Sequence, residues 1–426
     1  MAYIKSIIAQ ACEVIKRIDM TDDEVTVETS MKFIDVVAET VPDPRVKGRC
    51  KYNLHQMLVC AFLAILAGYN NVSEFAYYCK KRHDFLKKLG LMGECTPSHD
   101  FFRRMFTLID PECLLSAVVL MLTQFCDIIE KHVDCDGYYH QIAIDGKEIT
   151  GSGRKKDTAK PCKNTNIMNF YDVSNGIVIK CESISAKENE IPVSQQLMKT
   201  LRLKQTIVSC DAMNSQVNLA EIITKKKGDY VFTIKDNQAT LHDEMKRQIA
   251  KAINTPKTNP ITVTSKDGKV TKKYYRVPSI TDWAGAKSYV LYRKETTQKS
   301  GKVKIDDIYF LSSLKQLDII VEAIQKRWSV ENDLHRYKDL LLNEDKLRYT
   351  NRNLSNTLAI LNNFALALIK LAKPVLDAPS YKITRKDFCL DGEKLALKML
   401  KLIGSKKIIM EAIKKVKKPI EAMQST

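Results

Sequence analysis

Two aspartates in the sequence each follow a run of hydrophobic residues that predicts a buried strand. Asp145 ends the segment YHQIAID, and Asp211 directly follows the segment TIVSC. Functional groups collect at strand ends in α/β sheets, because the backbone there fixes side chains that face a crevice. Two carboxylates on neighbouring strands can share a hard cation such as Mg²⁺, which takes oxygen ligands and keeps several waters. Each aspartate taken alone could equally cap a turn or a helix.

A third acidic group is expected on a helix in the second half of the chain. Seven residues recur there at intervals of three or four, which places them on one helical face: Leu317, Val321, Ile324, Trp328, Glu331, His335 and Asp339. The face is apolar at first and then polar and acidic, which marks a site or a buried salt bridge. Glu331 and Asp339 would lie about 12 Å apart along a helix axis, so only one can share the metal centre. The spacing leaves that choice open.

The elements that would position these acids form a mixed α/β sheet. Strands are predicted at 139–145, 167–173, 176–184, 206–210 and 229–235, and the later strands alternate with helices. Residues 255–311 return to strand character, with one hairpin around Asp267-Gly268 and a second around a Lys-Ser-Gly turn. The rest of the chain is predicted to be helical.

Four short helices are predicted before the sheet. Three lie at 54–67, 73–82 and 112–129, and the fourth begins at a Thr96-Pro97-Ser98 cap. Arg103 and Arg104 fall on the outer face of this fourth helix. Short helices with basic outer faces suit a helix-turn-helix-like DNA-binding domain, and they suit a plain helical bundle equally well.

The chain carries a large basic excess. Lys and Arg outnumber Asp and Glu by 68 to 50, a net charge of +18 at pH 7. Such an excess favours a polyanionic partner, since each phosphate contact releases condensed counterions. Lys155 and Lys156 lie in a Gly-, Ser- and Lys-rich loop at 151–164 and are candidate DNA contacts. A basic scaffold protein would also explain the charge, but it would leave the strand-end acids unexplained.

Cysteine spacing and hydropathy exclude several other classes of protein. The 12 cysteines include no CxxC pair, which favours reduced thiols in a cytosolic protein over a zinc site or a disulfide scaffold. The longest apolar stretch, 59–67, is about half the length that a membrane span needs. No membrane partner is therefore expected.

Nine short segments recur, in the same order, in a known family. They are DPRVKGRCKYNL (43–54), LAG (66–68), TPSHDFFRRMF (96–106), AIDGK (143–147), KENEI (187–191), SCDAMNSQ (209–216), GDYVFTIKDNQATLHDE (228–244), RWSVENDLHRYKD (327–339) and NEDKLR (343–348). The last six resemble the DDE transposases of bacterial insertion sequences, of the H-repeat-associated type. The first three resemble the N-terminal domain associated with that group. Each motif alone is weak, but the ordered set is very specific.

The resemblance implies an RNase H-like catalytic domain: a mixed sheet with a β-rich insertion, preceded by an all-α domain and followed by C-terminal helices. It carries the three acids over to Asp145, Asp211 and Glu331. The residue patterns and the resemblance together predict a helical extension at 1–42, a helix-turn-helix-like DNA-binding domain at 43–138, the catalytic domain at 139–350 with its insertion at about 240–311, and a basic helical region at 351–426.

The resemblance also implies metal-dependent phosphoryl transfer on DNA. Two Mg²⁺ ions, for which Mn²⁺ can substitute, would be held by the three acids, with Asp145 bridging both. The expected partners are double-stranded DNA, as terminal inverted repeats and as target, and a second copy of the chain in the DNA complex. The expected location is the bacterial cytoplasm, at the nucleoid. The alternatives are an RNase H-like nuclease or resolvase that cuts without transposing, and a decayed or domesticated DNA-binding protein.

Five further side chains are candidate DNA contacts in this chemistry. Arg327 and Lys338 match the R-x3-E-x6-K pattern around the glutamate of related transposases, and Lys235 is a third candidate for a phosphate. His335 would orient the glutamate or touch a phosphate, and Trp283 would stack on a flipped base. Surface salt bridges, and a core position for the tryptophan, are the alternatives.

Three residues depart from the family's pattern. Ile324 stands where the tyrosine of the pattern is expected, Asp236 replaces a glycine, and Arg336 replaces a tryptophan. These changes leave the acids intact and bear on how DNA is contacted.

Overall fold

The computed structural model describes residues 27–46, 48–132, 139–153, 163–184, 190–253 and 259–404. This part of the chain forms nine strands: β1 His140–Ile149, β2 Thr165–Asp172, β3 Ile177–Ile184, β4 Thr206–Cys210, β5 Asp229–Ile234, β6 Ile261–Thr264, β7 Val270–Pro278, β8 Ser288–Thr297 and β9 Val303–Ser312. They make one sheet in the order β3-β2-β1-β4-β5-β9-β8-β7-β6. β1, β4 and β5 run parallel, and the other neighbouring pairs are antiparallel. The mixed α/β sheet expected from the sequence is confirmed.

The described residues also form thirteen α-helices. In chain order these are α1 Val27–Thr40, α2 Leu54–Leu66, α3 Val72–Lys81, α4 His83–Lys88, α5 His99–Leu108, α6 Pro111–His132, α7 Glu190–Thr200, α8 Val217–Lys225, α9 Ala239–Ile253, α10 Leu317–Arg327, α11 Arg336–Leu342, α12 Arg352–Val375 and α13 Tyr381–Gly404. Short 3-10 turns lie at Asp236–Gln238 and Glu344–Lys346, and a π-helical turn lies at Val330–His335. The four helices predicted before the sheet are confirmed as α2, α3, α5 and α6.

The segment between the second and third predicted acids continues the sheet. β9 pairs with β5, with Leu311 opposite Phe232, and β8, β7 and β6 follow outward. Gly268 lies in the turn between β6 and β7 with φ of 68°, a conformation that glycine adopts without a Cβ penalty. Both predicted hairpins are confirmed, and together they extend the sheet by four strands.

Helices cover both faces of the sheet. α7, α8 and α9 pack on one face, where Met198, Leu219 and Met245 are completely buried. α10 packs on the opposite face of the central strands. Strand side chains alternate between faces, so Ile144 belongs to one core and its neighbour Ala143 to the other. The sheet is therefore buried on both sides where β1 and β4 meet.

The two ends of the described chain share one helical layer. Phe62 of α2 stacks on Phe364 of α12 with ring centroids 4.6 Å apart, and α13 also packs on α2. The stretch Arg352–Lys373 is long and apolar enough to cross a membrane by length and composition, and residues 354–372 of it are buried in this layer. The predicted region boundaries at 138 and 351 place α2 and α12 in different regions. In the structure the two helices pack together, because their apolar faces cover each other.

The helix predicted to run from Leu317 to Asp339 is interrupted. α10 ends at Arg327, and the π-helical turn precedes α11. A π-helical turn closes i→i+5 hydrogen bonds, so it adds about one residue to the turn and rotates the helix beyond it. The prediction of one continuous face is therefore wrong beyond Trp328: Val330 and Leu334 are buried, and Glu331 is exposed.

Candidate active site

The register of β1 and β4 brings the two predicted aspartates together. The last paired residues of the two parallel strands are Ile144 and Cys210, so Asp145 and Asp211 come next, side by side. The prediction that the first strand ends at Asp145 is wrong. β1 runs on to Ile149, because β2 continues to pair with it and sets Asn169 opposite Asp145. Asp145 thus lies where its neighbour β4 ends, which still opens space beside its side chain.

Asp211 is held in a tight turn. The backbone N–H of Asn214 donates to Asp211 Oδ1 at 3.0 Å, and its side-chain Nδ2 donates to the same oxygen at 3.1 Å. The 3-10 turn after β5 supports this loop, since Asn237 Nδ2 donates to the carbonyl oxygen of Ala212 at 2.7 Å. The segments SCDAMNSQ and KDNQ therefore work together to fix the position of the second aspartate.

Asp145 has the most perturbed carboxyl of the site. Burial, followed by the charges of Asp211 and Glu331, raises its pKa from 3.8 to about 7, with a smaller contribution from Glu190. The guanidinium of Arg327 acts in the opposite direction. Carboxylates that repel each other this strongly disfavour full ionisation unless a cation lies between them. The electrostatics thus favour cation binding at Asp145.

Glu331 lies on the π-helical turn with its side chain 54% exposed. Arg327 Nη1 is 3.8 Å from Glu331 Oε1, and the arginine side chain itself is only 10% exposed. The same guanidinium packs over Trp328, 5.3 Å from the ring centroid. Arg327 is therefore a nearly buried positive charge beside the acids. Its candidate role as a phosphate contact requires the phosphate to enter the site.

Asp339 is engaged elsewhere. Its Oδ1 is 2.7 Å from Lys147 Nζ, and the same ammonium is 2.7 Å from Asp345 Oδ1. Lys147 is almost buried, with 6% of its side chain exposed. The Asp339 carboxylate therefore offsets the charge of a nearly buried lysine.

Lys338 is not a surface residue. Its Nζ is 3.1 Å from Glu344 Oε2, and both side chains are 0% exposed. Its candidate role as a phosphate contact is therefore corrected: the ammonium offsets a buried carboxylate in the core between α11 and the following 3-10 turn. Burial of both charges requires this pairing, because either one alone would be strongly destabilising.

His335 contacts an aspartate and not the glutamate. Its Nδ1 is 3.4 Å from Asp145 Oδ2, and its Nε2 is 3.4 Å from Asn169 Nδ2. Burial, together with the charges of Lys338 and Lys147, lowers its pKa from 6.5 to about 3. The imidazole is therefore neutral at physiological pH, and the expectation that it orients Glu331 is replaced by a contact with Asp145.

The remaining candidates are distributed over the molecule. Lys235 is exposed at the end of β5, next to the strand that leads to Asp211. Arg103 and Arg104 are exposed on α5, as predicted. Trp283 is only 8% exposed and packs in the core beneath α9, so its burial corrects the expectation that it stacks on a base.

Lys155 and Lys156 lie outside the described residues. Of the family departures, Asp236 and Arg336 are exposed and Ile324 is buried.

Sequence reasoning missed the polar residues that surround the acids. Glu190 begins α7 and adds negative charge near Asp145, and Asn166 donates a hydrogen bond to it. Asn169 and Asn214 flank the two aspartates. The signal was present, because Glu190 and Asn214 both fall inside segments that resemble the family. Their position relative to the acids depends on the sheet register, which cannot be predicted from these segments.

The residues of the site fit a hard divalent cation. Carboxylates surround Asp145, and the side-chain oxygens of Asn166, Asn169 and Asn214 are buried without a hydrogen-bond partner in the described part of the chain. Oxygen donors of this kind suit Mg²⁺. No three His, Cys, Asp or Glu residues among those described stand close enough to ligate one ion as they are placed.

Several proteins similar to this chain are transposases by name. The chain is 27% identical over 365 residues to "Putative transposase YncI" of Escherichia coli O157:H7, which covers 82% of this chain and 89% of that protein. It is 24% identical over 346 residues to "H repeat-associated putative transposase YhhI" of Escherichia coli K12, covering 77% and 88%. A cryo-EM structure of a piggyBac transposase synaptic complex with hairpin DNA matches 96% of this chain and 85% of that one, at 15% identity. Its TM-score of 0.39 is too low for a structural conclusion.

Two family models match the chain along most of its length. The model described as DDE_Tnp_1-associated matches residues 37–120. The model described as transposase DDE domain matches residues 139–368, which is more than half of the 426 residues and contains Asp145, Asp211 and Glu331. The chain belongs to the transposase DDE domain family.

Proposed function

We propose that this protein cuts DNA at the terminal inverted repeats of an insertion sequence and joins the cut ends to target DNA. The observation that carries the proposal is the pairing of Ile144 with Cys210, which sets Asp145 and Asp211 side by side. Glu331 is proposed as the third acid, since its charge acts on Asp145 while Asp339 is engaged with Lys147. An RNase H-like catalytic sheet is proposed for β1 to β5, three antiparallel strands followed by two parallel ones.

The side chains around Asp145 have complementary parts in this chemistry. Two divalent ions held by the three acids would supply an activated nucleophile and a positive charge at the departing oxygen of an in-line displacement. Asp145 would contribute to holding both ions, because the charges of Asp211 and Glu331 both act on it. Arg327 helps to keep this carboxyl anionic. His335 limits its rotation through the 3.4 Å contact without adding a competing charge.

The DNA would approach from the edge of the sheet where β4 and β5 end. Lys235 is exposed at that edge and would contact a phosphate near the scissile bond. Arg103 and Arg104 would hold flanking DNA on the helical layer, and the net charge of +18 would draw in the duplex. A second copy of the chain would bind the other end of the element, in the bacterial cytoplasm at the nucleoid.

The test is a cleavage and strand-transfer assay with Mg²⁺ on DNA that carries the inverted repeats flanking the gene. Asp145→Asn, Asp211→Asn and Glu331→Gln should each abolish cleavage and leave DNA binding nearly intact, because these groups hold metal and not phosphate. Asp339→Asn is the matched control on the same helical segment, and it should retain cleavage, since Asp339 pairs with Lys147.

Each other outcome has a definite meaning. An Asp339→Asn variant that is inactive beside an active Glu331→Gln variant would move the third acid to Asp339. Cleavage without joined products would identify a nuclease or resolvase. DNA binding without cleavage by the wild-type protein would identify a DNA-binding protein that lacks catalysis.

A further inference from the structure

A fourth carboxylate lies beside the three acids, and none of the steps above uses it. Glu190 begins α7; its charge raises the pKa of Asp145, and the charge of Asp211 raises the pKa of Glu190. Asn166 of β2 donates from Nδ2 to Glu190 Oε1, and the side chain of Asn214 lies within hydrogen-bonding reach of the same carboxylate. Glu190 is therefore tied both to the strand beside β1 and to the turn that holds Asp211.

Gly146 makes room for this carboxylate. A Cβ at Gly146 would lie 3.3 Å from both Oε1 and Oε2 of Glu190, and 3.2 Å from Asn166 Oδ1. The φ angle of Gly146 is not positive, so backbone conformation does not require glycine here. Close approach favours it, because the Glu190 carboxylate rests against the backbone of the residue directly after Asp145.

Buried amide oxygens beside the cluster indicate a cation. Asn214 is 1% exposed, and its Nδ2 donates to Asp211, yet its Oδ1 has no hydrogen-bond partner in the described ranges. Asn169, opposite Asp145, is 0% exposed, and its Oδ1 likewise has no hydrogen-bond partner among the described residues. A buried acceptor without a donor is destabilising unless water or an ion satisfies it. A hydrated Mg²⁺ ion presents donors of this kind through its waters.

We propose that Glu190 is a fourth carboxylate of the metal centre and holds a hydration water of the ion bound at Asp145 and Asp211. This inference rests on the proposed function. Glu190 is only partly buried, and its oxygens already accept hydrogen bonds from neighbouring amides, so it acts through water and not as a direct ligand. It is a positioning residue, whose charge and hydrogen bonds set the affinity and placement of the ion.

The test measures metal binding by the full-length protein without DNA. Mn²⁺ is titrated into the protein, and free Mn²⁺ is read by electron paramagnetic resonance. Glu190→Gln keeps the shape and removes the charge, so the Kd for Mn²⁺ should rise about 10- to 100-fold. Glu190→Asp keeps the charge at shorter reach and should recover part of that loss. Glu221→Gln is the control, because Glu221 lies on α8 and pairs with Lys225 at the surface.

A second variant tests the position of the carboxylate and not its charge. Gly146→Ala crowds Glu190 through the contacts of 3.3 Å, so the carboxylate must shift by a few tenths of an ångström. It should weaken Mn²⁺ binding in the wild-type background and have no further effect in the Glu190→Gln background. Additive effects of the two substitutions would overturn the role assigned to the position of Glu190, because the alanine would then act on Asp145 directly.

Failure of this inference and failure of the proposed function are distinguishable. Wild-type Mn²⁺ affinity in a Glu190→Gln protein with an unchanged urea midpoint overturns the inference and leaves cleavage by the three acids standing. A wild-type protein that neither binds Mn²⁺ nor cleaves DNA overturns the proposed function, and this inference with it.

Discussion

Replacing Asp145 by Asn should stabilise the metal-free protein while abolishing cleavage. Burial and the neighbouring acids raise the pKa of Asp145 from 3.8 to about 7. The unfolded chain loses this proton near pH 4 and the folded chain near pH 7, so the folded state binds more protons between these values. The free energy of unfolding must therefore fall as pH rises from about 4 to about 7, and it stays low above that range.

The size of the effect is set by the same shift. Three pKa units at about 1.36 kcal/mol each give a penalty on the order of 4 kcal/mol above pH 7. Asparagine has no charge to develop, so the variant escapes this penalty. Its excess stability over the wild type should be about 1.5 kcal/mol at pH 5 and should approach about 4 kcal/mol at pH 8.

Urea unfolding in EDTA across this pH range measures the difference. Asp243→Asn is the control, since Asp243 is 76% exposed and should change stability by less than about 0.5 kcal/mol at every pH. Saturating Mg²⁺ should stabilise the wild type and not Asp145→Asn, because an ion that binds only the folded state shifts the equilibrium by mass action. A variant that is less stable than the wild type at pH 8 without metal, or an excess that does not grow with pH, would refute the reasoning.

Two further substitutions test residues predicted to contact DNA. Lys338→Met should lower the free energy of unfolding by about 3–5 kcal/mol, since it leaves the buried Glu344 without its closest cation, and adding Glu344→Leu should restore most of the urea midpoint. A loss below about 1 kcal/mol, or weaker DNA binding by the folded double variant, would contradict the structural role of Lys338. Replacing Arg103 and Arg104 together by Ser in the full-length protein should weaken DNA binding and make the slope of log K against log salt shallower by about 2, as measured by fluorescence anisotropy. An unchanged slope would show that these arginines do not contact phosphate.

The parts of the fold that could be predicted are those set by local sequence. The turn at Asp267-Gly268 depends on one residue that tolerates a positive φ, so its hairpin can be found without knowing the rest of the protein. Asp145 and Asp211 could be paired from sequence because each follows a buried strand, although β1 does not end where the pattern suggested. The spacing left two candidates for the third acid, Glu331 and Asp339, on one predicted helical face. Only the family resemblance favoured Glu331.

The parts that could not be predicted depend on partners distant in the chain. Lys338 has the sequence environment of a surface lysine, and only the arrival of Glu344 in a buried turn makes it internal. The π-helical turn at Val330–His335 is invisible to a spacing rule that assumes 3.6 residues per turn. Glu190 reaches the acids because α7 starts beside β2 and the Asp211 turn, and no local pattern encodes that contact.

A ribosome makes Phe62 long before Phe364, although the two rings stack in the finished protein. At about 5–20 residues per second, the roughly 300 residues between them take about 15–60 s to synthesise. Throughout that interval α2 lacks α12 and α13, two of the helices that pack on it, so the nascent chain is exposed to aggregation and is a substrate for chaperones. A gene copy truncated before α12 therefore yields a product that cannot complete the helical layer.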